Sequence, residues 1–153
     1  RNSKMQDIVN NRIKHRESFR PFAPAVLEED YKKFFKLKRP SPFMLLVAKV
    51  KKPKLIPAVT HVDGTARVQT VNKKQNKIFY NLIKEFKKKT GCPVIVNTSF
   101  NVRGEPIVNT PSDAFKCFMG TEMDILVIEN CLIRKEKQNT SLKIDYKNKY
   151  KLD

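Results

Sequence analysis

The sequence predicts an α/β fold, and three observations lead there. Short apolar runs bounded by turn residues stand at 43–50, 93–96 and 125–128, the pattern of buried strands. Segments with apolar residues at helical spacing alternate with them in the second half, which favours a sheet layered with helices. At 153 residues and 40% hydrophobic content, the chain is long enough for one domain with a real core.

In chain order, Met5, Ile8, Val9 and Ile13 recur at helical spacing and predict an amphipathic helix from 4 to about 16. Pro21 and Pro24 then impose extended backbone. Residues 27–35 read as a short helix or turn, and 37–42 as a loop of mixed charge and proline. Phe43-Met44-Leu45-Leu46-Val47-Ala48-Lys49-Val50 is apolar on both faces, which a central strand requires. Residues 58–71 read as two extended segments joined at Asp63-Gly64, a strong turn signal. Ile78, Phe79, Leu82, Ile83 and Phe86 form a helical stripe facing the core, closed by Lys87-Lys88-Lys89 and Gly91. Thr110-Pro111-Ser112-Asp113 supplies a capping residue, a proline at the first helical position and an acid near the third, so a helix runs from 111 to about 119. Ile125-Leu126-Val127-Ile128 is the final strand. Beyond Ile133 come seven basic and three acidic residues, so 134–153 is read as a weakly structured, dispensable tail and 1–133 as the domain.

The stretch richest in chemistry is Asn97-Thr98-Ser99-Phe100-Asn101-Val102-Arg103-Gly104-Glu105-Pro106, which leaves the 93–96 strand as a polar loop. Loops at strand ends are where α/β folds keep their binding groups. Hydroxyls, amides and a guanidinium suit an anion there, although an Asn- and Ser-rich turn with a solvated arginine has the same composition. Thr65, Arg67 and Gln69 share one face of a strand, a pattern suited equally to phosphate oxygens and to a solvent-facing edge. Lys14 lies near the end of the first helix with Arg16 and Arg20 just beyond, either complementing its negative end or serving an anionic ligand.

Thirty-two basic against fifteen acidic residues give a net charge of +17, which attracts nucleic acid, anionic lipid or phosphorylated small molecules without choosing among them. Nine Lys or Arg and no acid fall between 31 and 54, a run typical of a solvated face. With four Tyr and no Trp, base-stacking platforms are not evident. Cys92, Cys117 and Cys131 show no metal or redox spacing and are expected to be small buried hydrophobes in a reducing compartment; with His15 and His61 as the only histidines, no metal site is expected within the chain. No apolar stretch approaches the roughly 20 residues of a membrane helix, so a cytoplasmic protein without membrane contact is expected. The start at Arg1 suggests a piece of a longer chain.

Four motifs in order carry a resemblance: Phe19-Arg20-Pro21-Phe22-Ala23-Pro24, Ser41-Pro42-Phe43-Met44, the Pro57-Ala58-Val59-Thr60-His61-Val62-Asp63-Gly64-Thr65-Ala66-Arg67-Val68-Gln69 stretch, and the loop from Asn97 to Pro106. Together they resemble the C-terminal domain of bacterial NodU/CmcH-type O-carbamoyltransferases over roughly residues 1–128. The resemblance implies a YrdC-like fold, an open twisted mixed sheet flanked by helices. It also implies a task, the formation of carbamoyl adenylate from carbamoyl phosphate and ATP. A separate N-terminal metal-binding domain would then pass the carbamoyl group to an acceptor hydroxyl.

Carried over residue by residue, Lys14, Arg20, Arg67 and Arg103 match the basic positions around phosphates and the carbamoyl group, and are the catalytic candidates. Thr60, His61, Thr65, Asn97, Ser99 and Asn101 complete the nucleotide and carbamoyl phosphate set, with Ser99-Phe100-Asn101 similar to a Ser-x-Asn phosphate element. His61 doubles as an ordinary turn histidine, and Asp63 or Glu105 could assist or only orient a neighbouring arginine. Mg²⁺ would arrive with ATP, held largely by phosphates and water. The competing readings are an RNA-binding YrdC-like module, possible on charge but not favoured, and a non-catalytic structural lid.

Overall fold

The computed structural model describes residues 2–146 and 150. Its secondary structure is a mixed α/β arrangement with a four-stranded mixed sheet, a two-stranded sheet and helices against them. The chain divides into two compact units. Unit 1 comprises residues 1–6 and 21–98, and unit 2 comprises residues 7–20 and 99–153.

Unit 1 is built on strand β1 (Ala23–Leu27), every residue of which is buried. It pairs in parallel with β3 (Thr65–Val71) and antiparallel with β4 (Val94–Asn97), while β2 (Leu46–Lys49) lies at the edge against β3, giving the order β2-β3-β1-β4. Helix α2 (Tyr31–Phe34) is a single turn, and α3 (Lys77–Thr90) packs on β1 and β4. The core contributed by these elements joins Ala25, Leu27, Val71 and Ile83, with Phe79, Tyr80 and Ile95 packed around them. Asp30, just before α2, is buried. Burial alone would raise its pKa, but hydrogen bonds from Lys33 and Lys87, at 2.8 and 2.6 Å, outweigh it and hold the carboxyl below its ordinary range.

Several expectations are corrected in unit 1. The 43–50 run makes an edge strand, not a central one: Met44 has φ 56°, which breaks the strand, and Leu45 and Val47 stay exposed. The central place goes to β1, which its prolines obscure in the sequence; its ladder with β3 begins only at Ala25, so Pro24 lies outside it and costs no bond there. Residues 57–59 form a 3-10 turn rather than a strand, while the turn at Asp63-Gly64 is present, with Gly64 at φ 75°. Along α3 the apolar stripe is only partly covered: Ile83 is fully buried but Ile78 is 85% exposed.

Unit 2 begins with the end of helix α1 (Met5–Val9), which continues as a wider π-type turn over Asn10–Lys14 and stops at His15 in the left-handed region. Helix α4 (Pro111–Met119) carries the capping box that its sequence announces: Thr110 Oγ1 accepts from the Asp113 amide and Asp113 accepts from the Thr110 amide. It packs on β5 (Ile125–Ile128), through a core of Ala114, Phe118, Met119 and Leu126. Strand β5 is not the last. It turns at Glu129, φ 50°, into β6 (Cys131–Arg134), and Cys131 is exposed there, unlike buried Cys92 and Cys117. Beyond β6 the chain makes 3-10 turns at Lys135–Lys137 and Thr140–Leu142, and Tyr146 is buried at 3% exposure. Among the described residues, no helix is long and apolar enough to cross a membrane.

Candidate functional site

In unit 2 the loop from Ser99 is organised by a lysine 85 positions earlier in the chain. The α1 segment ends so that Lys14 is only 3% exposed, and its Nζ donates to Ser99 O at 2.8 Å, Asn101 O at 2.6 Å and Asn101 Oδ1 at 2.6 Å, with Ser99 Oγ at 3.3 Å. The Lys14 carbonyl accepts from the Arg103 amide at 2.9 Å, which fastens the loop from the other side. An ammonium has three protons, so these oxygens already saturate it. Lys14 therefore acts on the loop first, as a clasp, and places its charge immediately behind Ser99 and Asn101. Burial, and then the charge of Arg16, push its pKa down to about 8.

The loop satisfies itself further. Ser99 Oγ donates to Asn101 Oδ1 at 2.7 Å, and Asn101 Nδ2 donates to the Glu105 carbonyl at 2.8 Å. Glu105 meets no arginine among the described residues; its Oε2 accepts from the Val102 amide at 2.9 Å. Gly104, at φ 75°, makes the tight return that brings Glu105 back over Val102.

A second organising group is Glu17, which the sequence reading did not single out. Its two oxygens hold Arg103 Nη1 at 2.7 Å and Arg20 Nε at 3.0 Å, so one carboxylate brings two guanidinium groups together. Its own backbone amide, then the two arginines, hold its pKa below the ordinary range. The 15–20 segment is shaped by Asn10, fully buried: its Oδ1 accepts from Arg16 Nε at 2.7 Å and its Nδ2 donates to the carbonyls of Ser18 and Arg20. Burial and the neighbouring Arg20 lower the Arg16 pKa. Like-charge repulsion thus couples Lys14 to Arg16 and Arg16 to Arg20, and Glu17 ties Arg20 to Arg103. An asparagine or glutamate one turn from a run of basic residues is the signal that could have revealed Asn10 and Glu17, but in the sequence both look like solvated helix polars.

The other expected residues lie in unit 1. Arg67 is exposed on β3, opposite Val47 of β2. Thr65 Oγ1 donates to Asp63 Oδ1 at 2.7 Å and sits 3.3 Å from His61 Nδ1, so His61, Asp63 and Thr65 form one turn cluster. Hydrogen bonds from the Thr65 hydroxyl and amide lower the Asp63 pKa. Thr60 Oγ1 donates to the Ile56 carbonyl, and Asn97 Nδ2 donates to Gln69 Oε1 at 2.6 Å. The ten residues therefore fall into two sets of five: Lys14, Arg20, Ser99, Asn101 and Arg103 in unit 2, and Thr60, His61, Thr65, Arg67 and Asn97 in unit 1. Unit 2 also contains a cavity of about 470 Å³ lined by Arg12, His15, Thr121, Lys135, Lys143 and Tyr146 among others, and none of the ten residues lines it.

The donor set around the loop is cationic and amide in character, which fits phosphate or carboxylate oxygens rather than a bare divalent ion. Residues 1–135 match the family described as carbamoyltransferase C-terminus. The chain is 49% identical to an uncharacterized protein of Synechocystis over 90% of this chain and 26% of that protein. It is 48% identical to the nodulation protein NolO of Bradyrhizobium diazoefficiens, over 85% of this chain and 25% of the relative. To the 3'-hydroxymethylcephem-O-carbamoyltransferase of Amycolatopsis lactamdurans it is 43% identical, over 67% of this chain and 20% of that enzyme. The chain spans about a quarter or less of the length of these relatives.

Proposed function

Because this chain belongs to the carbamoyltransferase C-terminus family, we propose that it is the part of an O-carbamoyltransferase that binds ATP and carbamoyl phosphate and forms carbamoyl adenylate. The observation that carries this reading is the cluster of Lys14, Arg16, Arg20 and Arg103 around a loop whose Ser99 and Asn101 are held in place. Guanidinium and ammonium groups held close together by the fold favour the oxygens of a phosphorylated ligand.

The chemistry asks for little beyond that. Water cleaves carbamoyl phosphate to carbamate and inorganic phosphate. A carbamate oxygen then attacks the α-phosphorus of ATP, the new P–O bond forms, and the bond to the β-phosphate breaks to release pyrophosphate. Each step moves negative charge between phosphoryl oxygens, so fixed guanidinium donors lower its barrier without a side-chain nucleophile. Arg103 and Arg20, paired by Glu17, would receive phosphate oxygens. Lys14 would hold Ser99 and Asn101 in position while contributing its charge from behind. Magnesium would come with the nucleotide, held by its phosphates and water. Arg67, Thr65, Thr60, His61 and Asn97 belong to the same proposed set on the strength of the resemblance. Transfer of the carbamoyl group to an acceptor hydroxyl would fall to the metal-binding N-terminal domain implied for the longer relatives.

Isothermal calorimetry of the 153-residue chain with ATP and with carbamoyl phosphate tests the proposal. Binding of both, weakened about tenfold or more by Arg103→Ala with the melting temperature little changed, is the expected result. A folded protein that takes up neither ligand overturns it. The second reading, RNA binding, is favoured by the net charge of +17 and predicts instead an affinity that no single arginine controls.

A further inference from the structure

Glu105 is the one member of the loop whose carboxylate is occupied from the far end of the chain. Tyr150 Oη donates to its Oε1 at 3.2 Å, and the Tyr146 hydroxyl and the Cys117 thiol both interact with the same carboxylate. Tyr146 is 3% exposed and packs in one cluster with Val102 and Cys117, and its ring meets the edge of Tyr150 at 5.5 Å. The fit is close: a Cβ added at Gly120 would come within 2.2 Å of the Tyr146 ring. Both tyrosines lie past residue 135, where the family match ends, while the groups they meet lie within it.

Glu105 in turn fixes both halves of the loop. Its carboxylate receives the Val102 amide, and its carbonyl receives Asn101 Nδ2; Asn101 Oδ1 then receives Lys14 Nζ and Ser99 Oγ. A continuous chain of hydrogen bonds therefore runs from the tyrosines to the lysine clasp. We infer that the segment bearing Tyr146 is a strap that positions the anion-binding loop, with Tyr146 and Glu105 as positioning residues rather than ligands. The strap extends the carbamoyl-phosphate reading and rests on it only for its functional consequence. Its mechanical consequence stands on the contacts alone.

Two variants of the 153-residue chain separate these. Tyr146→Phe keeps the ring and removes the hydroxyl, while Gly120→Ala crowds the ring from its seat. Amide hydrogen exchange without ligand should show residues 99–106, Val102 foremost, opening about tenfold faster in both variants while α4 amides are unchanged. Affinity for ATP, measured by calorimetry, should fall about tenfold in parallel. If Val102 exchange is unaltered in Tyr146→Phe, or α4 and the loop accelerate together, the strap has no specific hold on the loop and the inference fails. If wild-type protein binds no ATP, the proposed function fails, and exchange at Val102 still decides the strap. If ATP binds and exchange accelerates but affinity is unchanged, the loop is not the anion site's controlling element, and the positioning role is overturned.

Discussion

Lys14 shows how a single buried amine can set a pH profile. Its folded pKa of about 8 lies below the 10.5 of an ordinary lysine, so between those values the unfolded chain binds more protons than the folded one, and stability rises with pH. Cys117 works the other way: burial and Glu105 push its thiol up to about 12 from 9.0, so above pH 9 the unfolded thiol ionises first and stability falls. Comparing wild type with Lys14→Met cancels the cysteine. The stability difference between them should shift by about 1 kcal/mol in favour of wild type from pH 8 to pH 9, measured by urea denaturation at each pH. An unchanged difference would mean that Lys14 does not titrate in this range. Glu17 is the complementary case. Glu17→Gln keeps the shape but removes the charge that holds Arg103 and Arg20 together, so ATP affinity should fall several-fold although the net positive charge increases. A rise in affinity, as simple charge counting demands, would remove Glu17 from the site.

Helix α4 is held at both ends by identifiable groups, and this makes its stability predictable. Thr110 caps its start; Lys135 closes its end, donating to the Phe118 carbonyl and to Thr121 O at 2.8 Å while lying over the Phe118 ring. Thr110→Ala should cost about 1 kcal/mol, and Lys135→Met should cost a similar amount, each read as a lower melting temperature by a few degrees. No change in the second variant would mean that solvent replaces the ammonium at the helix end. The two caps differ in how far the sequence discloses them. Thr110, Pro111 and Asp113 are neighbours, so the start of α4 is legible; Lys135 reaches back 17 residues across a hairpin and is not. The same rule sorts the rest. The bounds of α3 follow from its period and Gly91, and the polar loop after β4 follows from the strand before it. Strand β1 hides behind Pro24, the edge position of β2 cannot be told from a run apolar on both faces, and Tyr146 stands with Tyr150 in a polar segment whose few apolar residues do not announce its burial. The polar composition of residues 97–106 is readable directly, whereas Lys14 as the clasp of Ser99 and Asn101 depends on a contact 85 residues long.

At the scale of the whole chain, the net charge of +17 predicts a nonspecific affinity for any polyanion, and this must be separated from the site chemistry. Diffuse binding to double-stranded RNA releases counterions in proportion to the phosphates neutralised, so its affinity should fall steeply with salt, with a slope of several on logarithmic axes. Removing one cation changes that slope by about one at most. ATP, held by a few preorganised groups, should show a shallower slope and a large loss on Arg103→Ala. Fluorescence anisotropy with labelled RNA and calorimetry with ATP, each from 50 to about 500 mM salt, resolve the two. The proposed function requires that Arg103→Ala abolish most ATP affinity and leave RNA binding within about twofold at every salt concentration. If RNA binding instead persisted at about 200 mM salt and collapsed in Arg103→Ala, the cluster around Glu17 would be reading a nucleic-acid backbone, and the carbamoyl-phosphate assignment would give way to it.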